Sequence, residues 1–145
     1  MTVLTRRRHP ERPDCWHVYF SDVQVGTIAV QPGLPLHAEQ WRWDCGFYPV
    51  SHRGRSRGGS APSFDQARTA FEAAWKDYLT TCTESDFQQY RHQRDFTAWK
   101  YAMHDAGRPL PTATTSGLSH CFCGAPIDNE GLNRHIREHH AMKVA

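Results

Sequence analysis

The stretch from Cys121 to His140 constrains this chain more than any other. Cys121 and Cys123 sit two positions apart, eleven residues separate Cys123 from His135, and His139 follows one helical turn later. A zinc ion takes four ligands in a tetrahedron, and thiolate sulfur and imidazole nitrogen suit it. A tight turn aims two close cysteines at one point, and residues four apart on a helix share a face, so Cys121, Cys123, His135 and His139 can converge. His140 is an alternative fourth ligand, and His120 is a substitute if Cys121 points away. Without a metal these are plain thiols and solvated imidazoles. With all four positions filled by protein no water site remains, so the spacing predicts a structural rather than a hydrolytic zinc. So short a segment has little core of its own, and bound zinc would supply on the order of 10 kcal/mol toward folding it.

The remaining residues set the scale. The chain has 145 residues, 39% of them apolar, and a mean hydropathy of −0.70. That suits one modest domain with a small appendage. Nothing approaches the roughly 18 consecutive apolar residues of a membrane span. Met1–Arg8 has no apolar run behind its charges, so no secretory leader is expected and a cytoplasmic, reducing setting is. The five cysteines then read as thiols or metal ligands. A net charge of +2 is too mild to imply nucleic acid, but residues 1–60 hold eight Lys/Arg against five Asp/Glu. The excess sits in two clusters, Arg6–Arg8 and His52–Arg57.

Residues 1–14, polar and broken by Pro10 and Pro13, read as a flexible basic arm. Trp16, Val18 and Phe20 alternate with polar neighbours, predicting a strand. Val23–Val30 is β-branched-rich and pairs with it as a hairpin, Gly26 marking a bulge or close approach. Trp41, Trp43, Cys45 and Phe47 alternate likewise as a third strand. Ser63–Gln66 forms a capping box, and Ala67, Phe71, Ala74, Trp75 and Tyr78 give the following helix one apolar face. Thr83 caps a second helix running to about Ala106, with Gly107 as its stop. This helix carries two stripes: Phe87, Tyr90, Ala98 and Tyr101, and Phe96, Trp99 and Met103. The second stripe is a surface for a protein partner or a second copy, or one stripe covers the 31–40 loop. Residues 107–119 have linker composition. The expected fold is α+β: a three-stranded antiparallel sheet packed by a helix, a second long helix (together 15–106), the linker, and a small module over 120–142.

That module resembles a C2H2-type zinc finger. Cys121 and Cys123 match the family's cysteines, Ile127 and Leu132 its two core positions, and Leu132-x-x-His135-x-x-x-His139 its helical half. The resemblance covers about 25 residues. It departs from the family in having one residue between the cysteines and one residue fewer before the first histidine. The family's base-reading positions would fall on Asp128, Gly131 and Arg134, of which Arg134 could contact guanine. The Trp16–Phe20, Val25–Ile28, Cys45–Pro49 and Ala70–Trp75 pieces also look like short uncharacterised alphaproteobacterial proteins, a likeness that implies no activity.

Arginine supplies bidentate donors for phosphate and glycine admits a close backbone. The loop carrying Arg53, Arg55 and Arg57 is therefore the candidate nucleic-acid contact, with Arg42 and Tyr48 on the outer sheet face. The alternative is a solvated loop. No GxSxG, P-loop or HExxH is present, and Cys15, Cys45 and Cys82 sit where buried thiols are the default. Two readings follow: a non-catalytic zinc-containing regulatory protein associated with nucleic acid, or a protein-interaction adaptor using the 84–106 helix and the zinc module.

Overall fold

Trp16, Val18 and Phe20 share one face of strand β2 (Cys15–Phe20), and that face meets a helix. The Trp16 and Phe64 ring centroids lie 6.0 Å apart, and those of Phe20 and Trp75 5.3 Å. The computed structural model describes residues 3–142. Strand β3 (Val23–Val30) pairs antiparallel with β2. The register shifts between Val18 and Tyr19, which leaves Val25 as an extra residue. This bulge turns Val23 and Val25 to the same side as Ile28, and all three are buried. Gly26 beside it fulfils both expectations: a Cβ there would collide with the Asp44 carbonyl oxygen and the Phe71 ring.

The sheet has five strands rather than three, in sequential antiparallel order. Strand β1 (Leu4–Arg8) pairs with β2, so this part of the expected basic arm is ordered; Met1 and Thr2 lie outside the described residues. A polar run can serve as an edge strand because only one side must pair. Its arginine guanidiniums lie 4.7–5.3 Å from the Trp16, Tyr19 and Phe64 rings, which gives the run a packing role that composition alone conceals. Strand β4 (Trp41–Cys45) is the expected third strand, but it stops short of Phe47. Tyr48 is not on the outer sheet face. It lies in the turn beyond, its ring 5.0 Å from His52. Strand β5 (Arg57–Ala61) takes the second half of the expected basic loop and pairs with β4.

Helix α1 (Phe64–Leu79) starts where the Ser63 hydroxyl accepts the Gln66 N–H, and it buries Ala67, Phe71, Trp75 and Tyr78. Helix α2 (Glu84–Asp105) has a reciprocal cap: Asp86 N–H donates to the Thr83 hydroxyl, and Thr83 N–H donates to the Asp86 carboxylate at 2.8 Å. Arg53 completes that carboxylate's bonding at 2.9 Å. The helix closes with Gly107 N–H on the His104 carbonyl and Arg108 N–H on that of Met103. Beyond it come strands β6 (Leu118–His120) and β7 (Pro126–Asp128), a two-stranded sheet, and helix α3 (Leu132–His139). Among the described residues no helix is long and apolar enough to cross a membrane.

The chain divides into two units, Met1–Tyr90 and Arg91–Ala145. The division falls inside α2, not at 107–119. In the first unit Phe47, Phe71, Trp75, Tyr78 and Phe87 build the core. In the second, Trp99 and Met103 are buried with Cys121, Ile127, Leu132 and Ile136. Trp99 and Met103 of the second stripe are therefore core, with the half-buried Phe96 packed against them. Residues 107–119 are not a loose tether. Pro111 is buried, the Ser119 hydroxyl donates to the Pro109 carbonyl at 2.6 Å, and Thr114 donates to that of Leu118 at 3.0 Å.

Burial alone would raise the Asp86 carboxyl, but the Thr83 N–H, the Arg53 guanidinium and the Thr83 hydroxyl outweigh it and hold it below its ordinary 3.8. Stability from a depressed carboxyl is present above the unfolded pKa and is lost as pH falls through the folded one. Arg53→Ala is expected to move acid unfolding of the first unit to higher pH. At neutral pH the loss should be about 1 kcal/mol or less, because Arg53 is half exposed. Circular dichroism against pH checks this, and an unchanged acid midpoint removes Arg53 from the account.

Candidate metal centre

The β6–β7 hairpin presents the two cysteines. Cys121 N–H donates to the Ala125 carbonyl at 2.9 Å, and Gly124 N–H to that of Cys121 at 2.8 Å. Gly124 has φ +96°, a conformation few side chains allow. That glycine lets one residue between the cysteines suffice for the turn. Ile127, Leu132 and Ile136 are buried beneath it, and Asp128 accepts the Gly131 N–H at 2.6 Å where α3 begins.

Cys121, Cys123, His135 and His140 come together, their ligand atoms all within 4.8 Å of one another. His135 Nε2 lies 3.2 Å from His140 Nε2 and 3.6 Å from Cys123 Sγ, and Cys121 Sγ lies 3.3 Å from His140 Nε2. Metal–ligand bonds of about 2.0–2.3 Å at tetrahedral angles place the ligand atoms about 3.3–3.8 Å apart. These three separations are close to that range, within a cluster whose donors all lie inside 4.8 Å. The Trp99 indole N–H donates to Cys121 Sγ at 3.3 Å, an outer contact of the kind that orients a ligand and offsets thiolate charge. Cys121 is buried and Cys123 exposed. Burial and the neighbouring His139 imidazole push His135 below the ordinary histidine range; burial and the His135 and His139 imidazoles do the same to His140. Both favour the neutral form that metal binding requires. The cluster could hold a metal ion.

His139, the first choice of fourth ligand in the sequence, lies outside this cluster, and His140 takes its place. His139 is exposed, with its Nε2 3.9 Å from Glu138. Helix α3 ends at His139, and His140 leaves helical geometry at φ −130°, ψ 11°, while its N–H still reaches the Ile136 carbonyl. That change of direction brings its ring in. The His139–His140 pair kept this choice open in the sequence. Trp99, apolar by pattern, carried no sign of its bond to Cys121. His120 is exposed and outside the cluster.

The arginines expected at nucleic acid are mostly engaged. Arg42 bonds Asp44 at 3.0 Å, Arg53 bonds Asp86 at 2.9 Å, Arg57 bonds Asp77 at 2.7 Å, and Arg134 bonds Glu138 at 2.9 Å. Arg55 is exposed, and its carbonyl accepts the Tyr78 hydroxyl at 2.6 Å. Cys15 and Cys45 are buried as expected, whereas Cys82 is only half-buried. Burial and the Cys82 thiol push Cys45 up to about 12, so it stays protonated.

No family model, curated protein or solved structure matches the chain. The likeness of residues 15–106 to alphaproteobacterial proteins therefore gains no relative. The zinc-finger likeness rests on the Cys2His2 cluster itself.

If this assignment of donors holds, His140→Ala abolishes metal retention whereas His139→Ala retains it. Metal per chain, measured by mass spectrometry on protein purified without chelators, distinguishes them. Retention by His140→Ala together with loss in His139→Ala reverses the assignment.

Proposed function

We propose that this chain is a non-catalytic regulatory zinc protein that acts by binding. The observation that carries the reading is the convergence of two sulfur and two imidazole donors, all within 4.8 Å of one another. That donor set suits zinc, and four protein ligands leave no open position for a reacting water. The ion would supply folding energy to the 91–142 unit, whose apolar core is small. Protein purified without chelators is expected to carry about one zinc per chain, and its removal should cost the second unit its near-ultraviolet signal from Trp99. Less than about half an equivalent of zinc, or a cluster filled by another metal, sinks the reading.

For the partner, the ion pairs of Arg42, Arg53, Arg57 and Arg134 favour an adaptor that binds protein, because phosphate would have to compete with an existing carboxylate. Association with nucleic acid through Arg53, Arg55 and Arg57 is supported by one feature. Residues 52–58 are exposed throughout, and the Tyr78 hydroxyl anchors the loop at Arg55. On that reading, retention on duplex or single-stranded DNA falls steeply with salt and weakens in the Arg53→Ala, Arg55→Ala, Arg57→Ala triple variant. No retention at low salt ends it.

A further inference from the structure

We infer that the edge of β1 and the flank of α1 form a groove for an acidic peptide in extended conformation, which adds to the sheet as a sixth strand. This deepens the binding reading above and rests on it.

Helix α1 packs on β3, β4 and β5. Beside β1 the inner sheet face opens into a pocket of about 40 Å³, with Leu4, Val18, Ile28 and Phe71 among its lining and Arg6 and Arg68 at its rim. A second hollow of about 390 Å³ shares Leu4 and Glu72 with the first and continues along α1 to Lys76. Among the described residues β1 is the outer strand of its sheet, with β2 on one side only. Every second residue of such a strand turns its N–H and C=O away from the sheet, a ready template for another strand. An apolar pocket beside that template is what a strand-adding peptide uses for specificity, through one of its alternate side chains.

Charge decides the occupant. Arg6 and Arg68 line the first pocket and Lys76 the second, against one carboxylate among those lining residues, Glu72, which is already paired with Arg68 at 3.1 Å; Arg7 and Arg8 follow Arg6 along the edge strand. A second copy pairing antiparallel through β1 would set one arginine run beside another, and like charges across strands destabilise. The same run fits carboxylates. Arg6 and Arg8 stack over Trp16, and Arg7 stacks over Tyr19. A stacked guanidinium is held in place while its N–H edges remain able to bond a carboxylate. An antiparallel peptide would place three acidic residues against Arg8, Arg7 and Arg6, and a small aliphatic residue two positions later beside Leu4.

The test is fluorescence anisotropy of a labelled, blocked peptide containing Glu-Glu-Glu-Thr-Val, titrated with the full zinc-loaded chain. Saturable binding is expected. It should weaken about tenfold in Arg7→Glu, the scale of one lost charge-assisted bond. Arg7 is exposed on the outer face, so this variant keeps the core. N-methylation of alternate peptide amides should abolish binding in one of the two phases, because only strand addition uses those N–H groups. Absence of binding, or binding indifferent to both N-methylation phases, overturns the proposal. Equal competition by single-stranded DNA at the same charge overturns it too, in favour of a general polyanion surface, as does dimerisation through β1 in sedimentation. Zinc content measured on the same samples separates failure of the groove from failure of the zinc reading.

Discussion

A segment as short as 120–142 cannot bury enough apolar surface to hold a fold of its own. The second unit meets that constraint with a helix and a Cys2His2 cluster together. Trp99 and Met103 from α2 enter one core with Ile127, Leu132 and Ile136, and Cys121 is buried in the same cluster. Trp99 serves both needs at once: its ring is core, and its indole N–H bonds the Cys121 sulfur. The cluster is thus continuous with the packing through Cys121, and the cysteine turn is held by Trp99 as well as by its own hydrogen bonds.

The first unit rests on a different economy. Its core is aromatic, with Phe47 stacked on Phe87 at 5.1 Å and Trp75 beside Tyr78 at 5.8 Å. Large rings bury much area at few positions, but they need backbone that comes close. The bulge at Val25 and the bare Gly26 beneath Phe71 supply it. The buried Asp86 joins cap and loop: it closes the start of α2 and takes the Arg53 guanidinium. The arginine that reads as a phosphate donor in one dimension is, in three, also the ion-pair partner of a buried carboxylate.

That reassignment shapes the functional reading. A finger that reads DNA keeps its helix side chains free for bases, whereas here Arg134 bonds Glu138 and Asp128 caps α3. Arg6–Arg8 instead lie on a strand edge beside an apolar pocket, the placement on which the acidic-peptide proposal rests.

Local periodicity made much of this legible in one dimension. The alternation at Trp16–Phe20, the i, i+4 spacing of Phe71 and Trp75, the Ser63 and Thr83 caps and the Cys–His order each follow from contacts a few residues apart. The two outer strands did not announce themselves, because β1 is polar and β5 is glycine-rich; pairing with a neighbour, not side-chain pattern, makes them strands. The sequence alone determined which residue types could bind a metal and roughly where, since ligand chemistry is local. Only the tertiary structure decided that His140 and not His139 completes the cluster, that Trp99 faces inward, and that Arg53 and Arg57 meet Asp86 and Asp77. Those outcomes depend on where a helix ends and what packs beside it, and such partners are distant in the chain.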